Sequence, residues 1–213
     1  YLNGNTDHSG VKEMLKVLQF DKIIDYKNTK ANSLESTYGL RDKDLFHIAK
    51  KELEIINKSS QPFALFISTT DTHFPNGIYD KRMESVISPK KTNLEFCIAS
   101  LDYLIGDFIN FIKESNFLKN TTIYIFPDHL KMGNPSIFKG TGDRGLYCIT
   151  NFKNSDFRSN LFQIDLPKII LEGANIDHNL KFLTDYIGSD KNKYIQNNIL
   201  PLTEINTNGI LNS

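Results

Sequence analysis

The apolar positions of this chain alternate between two rhythms, helical and strand-like, along most of its length. Val11, Met14, Leu15 and Leu18 recur at helical spacing and predict a helix over 11–20. The run KIIDY at 22–26 predicts a short strand, followed by a polar loop over 27–38. From Asp42 onward, Leu45, Phe46, Ile48, Ala49, Leu53, Ile55 and Ile56 predict a second helix, broken at 59–62. The next run, FALFIST at 63–69, is nearly continuous in apolar residues, as expected of a strand covered on both faces. It leads into the polar loop TDTHFPNG, which holds Asp71 and His73. Residues 81–92 are irregular. A long amphipathic helix is predicted over 93–115, with Phe96, Cys97, Leu101, Leu104, Ile105, Phe108, Ile109 and Ile112 apolar. A turn at 116–120 leads to a short buried strand over 122–126, which ends in the pair Asp128–His129.

Beyond Met132 lie Gly133, Gly140, Gly142 and Gly145, too irregularly spaced for a phosphate-binding loop. GLYCITN at 145–151 predicts another strand. QIDLPKIILEG predicts a short helix with Pro167 near its start and Gly173 past its end. The tail from Asn175 is polar; Ile187 and the residues 199–202 are its candidates for packing back, and its last residues are expected to fray. Helices alternating with buried strands predict an α/β fold with a largely parallel sheet flanked by helices. Loops that follow parallel strands emerge on one edge of such a sheet, so His73 and Asp128–His129 are expected to converge.

Composition narrows the function classes. With 213 residues the chain can build one α/β domain or two small ones. Lys+Arg and Asp+Glu both number 25, which argues against a nucleic-acid partner. The lysine pairs at 50–51 and 90–91 are short and mixed with acids, as on a solvated surface. Cys97 and Cys148 read as buried free thiols. No apolar run approaches a membrane span. The chain opens on Tyr1 without an initiator Met and is expected to be a piece of something longer.

The candidate chemistry concentrates in the loops that follow strands. Asp128 and His129 offer carboxylate oxygen and imidazole nitrogen to a divalent metal, with Zn²⁺ and Mn²⁺ favoured by the imidazole and Mg²⁺ an alternative. The competing reading is a pair that caps the strand end and bonds backbone amides. His73 is suited to donate to a phosphate or to act as a general acid, or else to bond its own backbone; Pro75 stiffens its loop. Tyr38, Arg41 and Asp42 precede the second helix. Arg41 is suited to clamp an anion, but the plainer expectation is that Asp42 caps the helix and Arg41 is exposed. The spacing of His8 and Lys12 gives no support to an anion site. His47 and His178 read as structural. Lys139, Asp143 and Arg144 follow the Asp-His pair closely enough to line a pocket. No Gly-x-Ser-x-Gly elbow is present.

Four blocks in order carry a resemblance: YGLRDKDLFHIAKKEL, QPFALFISTTDTHFP, FCIASLDYLIGDFINFIKES and NFLKNTTIYIFPDHLKMGN. They resemble the alkaline phosphatase/sulfatase superfamily, and within it the membrane-anchored phosphoglycerol transferases that modify periplasmic glucans and the lipoteichoic acid synthases. DHLKMGN is similar to the glucan-modifying group, DTHFP to the family's substrate-histidine loop, and FQIDLPKIILEGANI to the segment that closes the domain. The resemblance covers about 1–176 of a partial catalytic domain, with 177–213 a polar C-terminal tail. It implies a Thr nucleophile held at a divalent metal, a covalent phospho-enzyme, and transfer of phosphoglycerol or phosphoethanolamine from a phospholipid donor to a glycan acceptor at the periplasmic face of a membrane. Asp128 and His129 match two of the family's metal ligands, and His73 matches the histidine that contacts the substrate phosphate. Lys12 lies where the family has further substrate contacts. The family's first strand, acidic ligand and nucleophile precede the segment matching Tyr1, so the chain alone is expected to be inactive, with nucleophile and membrane anchor upstream. Pro127 replaces the small residue common before the Asp. A sulfatase or phosphodiesterase of the same superfamily is the enzymatic alternative. A non-catalytic module binding anionic glycans or lipid head groups is the other.

Overall fold

Residues 1–29, 38–59, 61–129, 146–151, 157–161, 163–182 and 185 are described by the structure, a computed structural model. They fall into two units, the first spanning Tyr1–Asn120 and the second beginning at Thr121. The glycine-bearing segment after Met132, with Lys139, Asp143 and Arg144, lies outside the described residues, as do Ile187 and 199–202.

The first unit contains strands β1 (Leu2–Asn3) and β2 (Ile67–Ser68), paired in parallel with Leu2 opposite Ile67. Its helices are α1 (Val11–Val17), α2 (Asp42–Ile56) and α3 (Asn93–Glu114). The two long helices form where the apolar stripe predicts them. In α2 the stripe Leu45, Phe46, Ala49 and Leu53 is buried. In α3 the same role falls to Phe96, Cys97, Leu104 and Ile112. Thr92 starts α3 through a capping box: its hydroxyl accepts from Glu95 N at 3.2 Å, and the Glu95 carboxylate accepts from Thr92 N at 3.0 Å. One core joins β1 to α2 through Leu2, Ile24, Leu40, Leu45 and Ala49; a second joins α2 to α3 through Phe46, Met83, Phe96 and Leu104. The free thiol of Cys97 is buried.

Three local expectations change here. Helix α1 stops at Val17, because Gln19 turns left-handed at φ 57°, and of its apolar stripe only Leu15 is buried. KIIDY makes a single parallel bridge, Leu2 to Ile24. Asp25 then folds its carboxylate onto the amide of Lys27 and starts a 3-10 turn at Tyr26–Asn28. FALFIST is regular strand only at Ile67–Ser68, and Phe63 and Phe66 are exposed, so it is not covered on both faces. Among the described residues β2 pairs with β1 alone.

The second unit is an antiparallel sheet in the order β3 (Tyr124–Ile125), β4 (Leu146–Thr150), β5 (Phe157–Leu161), with helix α4 (Leu166–Gly173). Cys148, a free thiol, packs with Leu166 and Ile169, and Tyr124, Phe126 and Leu161 cover them. The strand before Asp128 is thus shorter than 122–126 and half-buried rather than buried. Two bonds fasten it to the end of α4: the Tyr124 hydroxyl donates to Ile170 O at 2.8 Å, and the Thr122 hydroxyl to Gly173 O at 2.8 Å. Gly173 is the last buried residue of α4 rather than a residue beyond it.

The chain is therefore α/β. Its parallel strands lie in the first unit, and the described strands of the second are antiparallel. No helix among the described residues is long and apolar enough to cross a membrane.

Candidate functional site

In the first unit the candidate residues gather around one loop. Its frame is set by a close backbone approach: Leu40 N donates to Gly4 O at 3.1 Å, and a Cβ on Gly4 would lie 2.1 Å from Tyr38 O. Gly39, at φ 73°, carries the chain through that contact. Tyr38 is thereby set between two imidazoles, with ring centroids 4.5 Å from His73 and 5.6 Å from His8.

His73 rides on a hoop closed by its own backbone. His73 N donates to Thr70 O at 3.0 Å, Gly77 N to His73 O at 2.9 Å, and Ile78 N to Asp71 O at 2.7 Å. The half-buried imidazole places Nδ1 2.9 Å from Phe74 O. A carbonyl only accepts, so Nδ1 carries the proton and Nε2 is the atom open to chemistry. The expected backbone bond of His73 is present, and it leaves Nε2 available for a substrate contact.

The expectations for Arg41 and Asp42 are corrected. Asp42 is the first residue of α2, is buried, and caps nothing in that helix. Its carboxylate instead accepts from Thr70 N at 2.7 Å and Asp71 N at 3.2 Å. Asp71, also buried, returns the bond by accepting from Asp42 N at 3.1 Å. Arg41 is not exposed: its guanidinium donates to Ile78 O and lies 3.4 Å from Asp71 Oδ1. The bland assignment failed because an apolar strand ending in Thr-Asp leaves amides that need acceptors, and Asp42 supplies them.

Burial pushes the Asp42 carboxyl up to about 6. Burial, and then the negative charge of Asp42, push Asp71 up to about 7. Burial also raises the Cys97 thiol, to about 11, which leaves it protonated and unreactive.

Lys12 and His8 lie near the same surface. Lys12 Nζ is 3.8 Å from Asp7 Oδ1, and Lys27 pairs with the same carboxylate. His47 is exposed on α2, and His178 meets the Phe182 ring edge-on at 5.5 Å.

In the second unit Asp128 and His129 follow β3 and are open to solvent, with side chains 84% and 58% exposed. His129 Nε2 lies 3.6 Å from Asp128 Oδ2. Asp128 Oδ1 accepts from His129 N at 2.8 Å, so part of the backbone-bonding alternative is realised. Gln163, a residue the sequence did not single out, donates its side-chain amide to Asp128 O and fixes the backbone under the pair. Carboxylate and imidazole so placed fit two positions of a divalent-metal site. Among the described residues no group of three or more His, Cys, Asp or Glu is placed to hold a metal. His73 belongs to the first unit and the Asp-His pair to the second.

The Sulfatase family model matches residues 1–186. Phosphoglycerol transferase I of Escherichia fergusonii is 31% identical over 137 residues, which are 61% of this chain and 18% of that protein. Phosphoglycerol transferase I of Salmonella choleraesuis is 29% identical over 167 residues, 75% of this chain and 20% of that protein. The chain thus spans about a fifth of the length of these relatives. A crystal structure of a protein in the alkaline phosphatase superfamily from Vibrio parahaemolyticus aligns with a TM-score of 0.51 at 22% identity, covering 62% of this chain and 33% of that one. That likeness concerns the fold.

Proposed function

The chain belongs to the sulfatase family, and from that premise we propose that it is the C-terminal portion of a metal-dependent phosphotransferase. On this reading the complete protein moves phosphoglycerol or phosphoethanolamine from a lipid donor to a glycan acceptor on the extracytoplasmic side of a membrane. The observation that carries the reading is the identity of about three residues in ten with two proteins named phosphoglycerol transferase I.

Asp128 and His129 would hold the cation, as Mn²⁺ or Zn²⁺ before Mg²⁺, and the further donors lie outside the described residues. When bound, the cation supplies neutralisation of phosphate charge and a lowered pKa for the attacking hydroxyl. Gln163 holds the Asp128 carbonyl, and His129 N holds one oxygen of the Asp128 carboxylate. His73 Nε2 would face a phosphoryl oxygen. Because Nδ1 already holds a proton against Phe74 O, Nε2 donates only when the ring is doubly protonated.

The test is turnover of the complete protein with a phosphoglycerol-bearing lipid and a glucan acceptor. The proposal expects metal-dependent transfer that disappears in His129→Ala and requires the acceptor. Release of the group to water at an undiminished rate without acceptor would make the protein a hydrolase of the same family. Normal turnover in His129→Ala would remove the Asp-His pair from the site.

A further inference from the structure

The segment Tyr38–Asp42 does more than lead into α2. It touches the loop of His73 at every level: the Tyr38 ring lies on the imidazole, Leu40 O accepts from the Thr70 hydroxyl at 3.3 Å, Arg41 reaches Ile78 O, and Asp42 accepts the amides of Thr70 and Asp71. The fasteners lie at both ends of the hoop. Thr70 and Asp71 form its entrance and Ile78 its exit, and Ile78 N closes the circle on Asp71 O. His73 lies between them.

Stability alone is a poor explanation of this arrangement. Two carboxylates are buried side by side against one guanidinium, and each is harder to ionise than in water. Apolar residues of similar volume often serve a core as well as a buried ion cluster does. What the carboxylates supply, and apolar groups do not, is direction: each accepts named amides and so sets the path of the backbone. The groups facing the pair from neighbouring elements are Arg41, Asp80 and the Cys97 thiol, which leaves a single close cation for two acids.

We propose that Arg41, Asp42 and Asp71 are positioning residues for His73: by fastening both ends of the 70–78 hoop they fix the tautomer and direction of its imidazole. The functional meaning rests on the reading of His73 as a phosphate contact; the positioning itself does not.

The experiment is histidine-selective ¹⁵N NMR of the 213-residue chain, with the His73 signals assigned through His73→Gln and inorganic phosphate as the probe. In the wild type the neutral His73 ring shows one tautomer, protonated at Nδ1. In Asp42→Asn the two tautomers average, while the His47 ring keeps its wild-type signals and circular dichroism keeps its wild-type form. Phosphate perturbs the wild-type His73 signals and does so about tenfold more weakly in the variant, the scale expected of a small misplacement. A folded Asp42→Asn protein with an unchanged His73 tautomer overturns the proposal. Arg41→Gln, which frees the Ile78 carbonyl and removes the cation beside Asp71 while Asp42 keeps its two amides, provides the same reading if Asp42→Asn does not fold. If phosphate perturbs no His73 signal while the tautomer responds to the variants, the phosphate reading fails and the positioning stands.

Discussion

The two histidine-bearing loops look alike in sequence and differ in how they are held. His73 and His129 each follow an apolar run and each has an aspartate close before it, Asp71 and Asp128. Asp71 is buried, exchanges backbone bonds with Asp42 and is joined by Arg41. Asp128 is 84% exposed; its carboxylate accepts from His129 N and its backbone carbonyl from the Gln163 amide. In the first loop the aspartate shapes the backbone that carries His73. In the second both side chains are exposed, and one Asp128 carboxylate oxygen accepts from the amide of His129. Burial separates the two aspartates: the buried one builds its loop, and the exposed one is the ligand that the proposal would give to a cation.

The largest expected effect separates the two roles. In the complete protein His129→Ala is expected to lower metal-dependent turnover by at least ~10²-fold, and added metal should not restore it. His73→Gln is expected to cost about 10² in kcat/KM, while metal dependence is retained. Steady-state rates across a Mn²⁺ series measure both, and equal metal dependence of the two losses would erase the distinction.

Asp42→Ala strips the acceptor from two amides, so a loss of roughly 2–4 kcal/mol is expected in urea unfolding. Asp128→Ala, on an exposed side chain, should leave the midpoint nearly unchanged. A comparable loss in both would show that the second loop is as built as the first.

The buried acids also set a pH dependence. Their folded pKa values lie above the unfolded ones, so the folded state binds more protons between about 4 and 7. This pair therefore contributes stability in acid that is lost as pH rises through that window. Asp71→Asn should flatten this part of the stability profile, read as urea midpoints from pH 4 to 8. A wild-type profile that rises across the window with Asp71→Asn unchanged would contradict the assignment. The smallest effect is expected at Lys12, whose ion pair with Asp7 is half-exposed and shared with Lys27: Lys12→Ala should leave the unfolding midpoint unchanged.

What was readable in the sequence follows from the range of the forces involved. The amphipathic stripes of α2 and α3 are local patterns, and both helices form within a residue or two of the expected bounds. The two thiols are buried and free, as their apolar surroundings imply. FALFIST was misread because an apolar run does not say what packs over its faces. KIIDY does run beside β1, through Ile24 N to Tyr1 O, Asn3 N to Ile24 O and Tyr26 N to Gly4 O, but the 3-10 turn that Asp25 starts keeps it to a single bridge. The Arg41–Asp42–Asp71 cluster was missed because its partners stand 28–29 residues apart, and helix-start rules offer Asp42 a local role that it does not take. One signal did point to it: an aspartate directly after an apolar strand and another opening an apolar helix, with an arginine beside the second.

The central claim, that the exposed Asp-His pair ligates a cation and the fastened His73 does not, is tested most directly by following all histidine ring signals of the chain during a Mn²⁺ titration. The account predicts that His129 broadens first, that His73 and His47 persist well beyond that point, and that Asp128→Asn abolishes the preference. Broadening that begins at His73, or that affects every histidine alike, would contradict it.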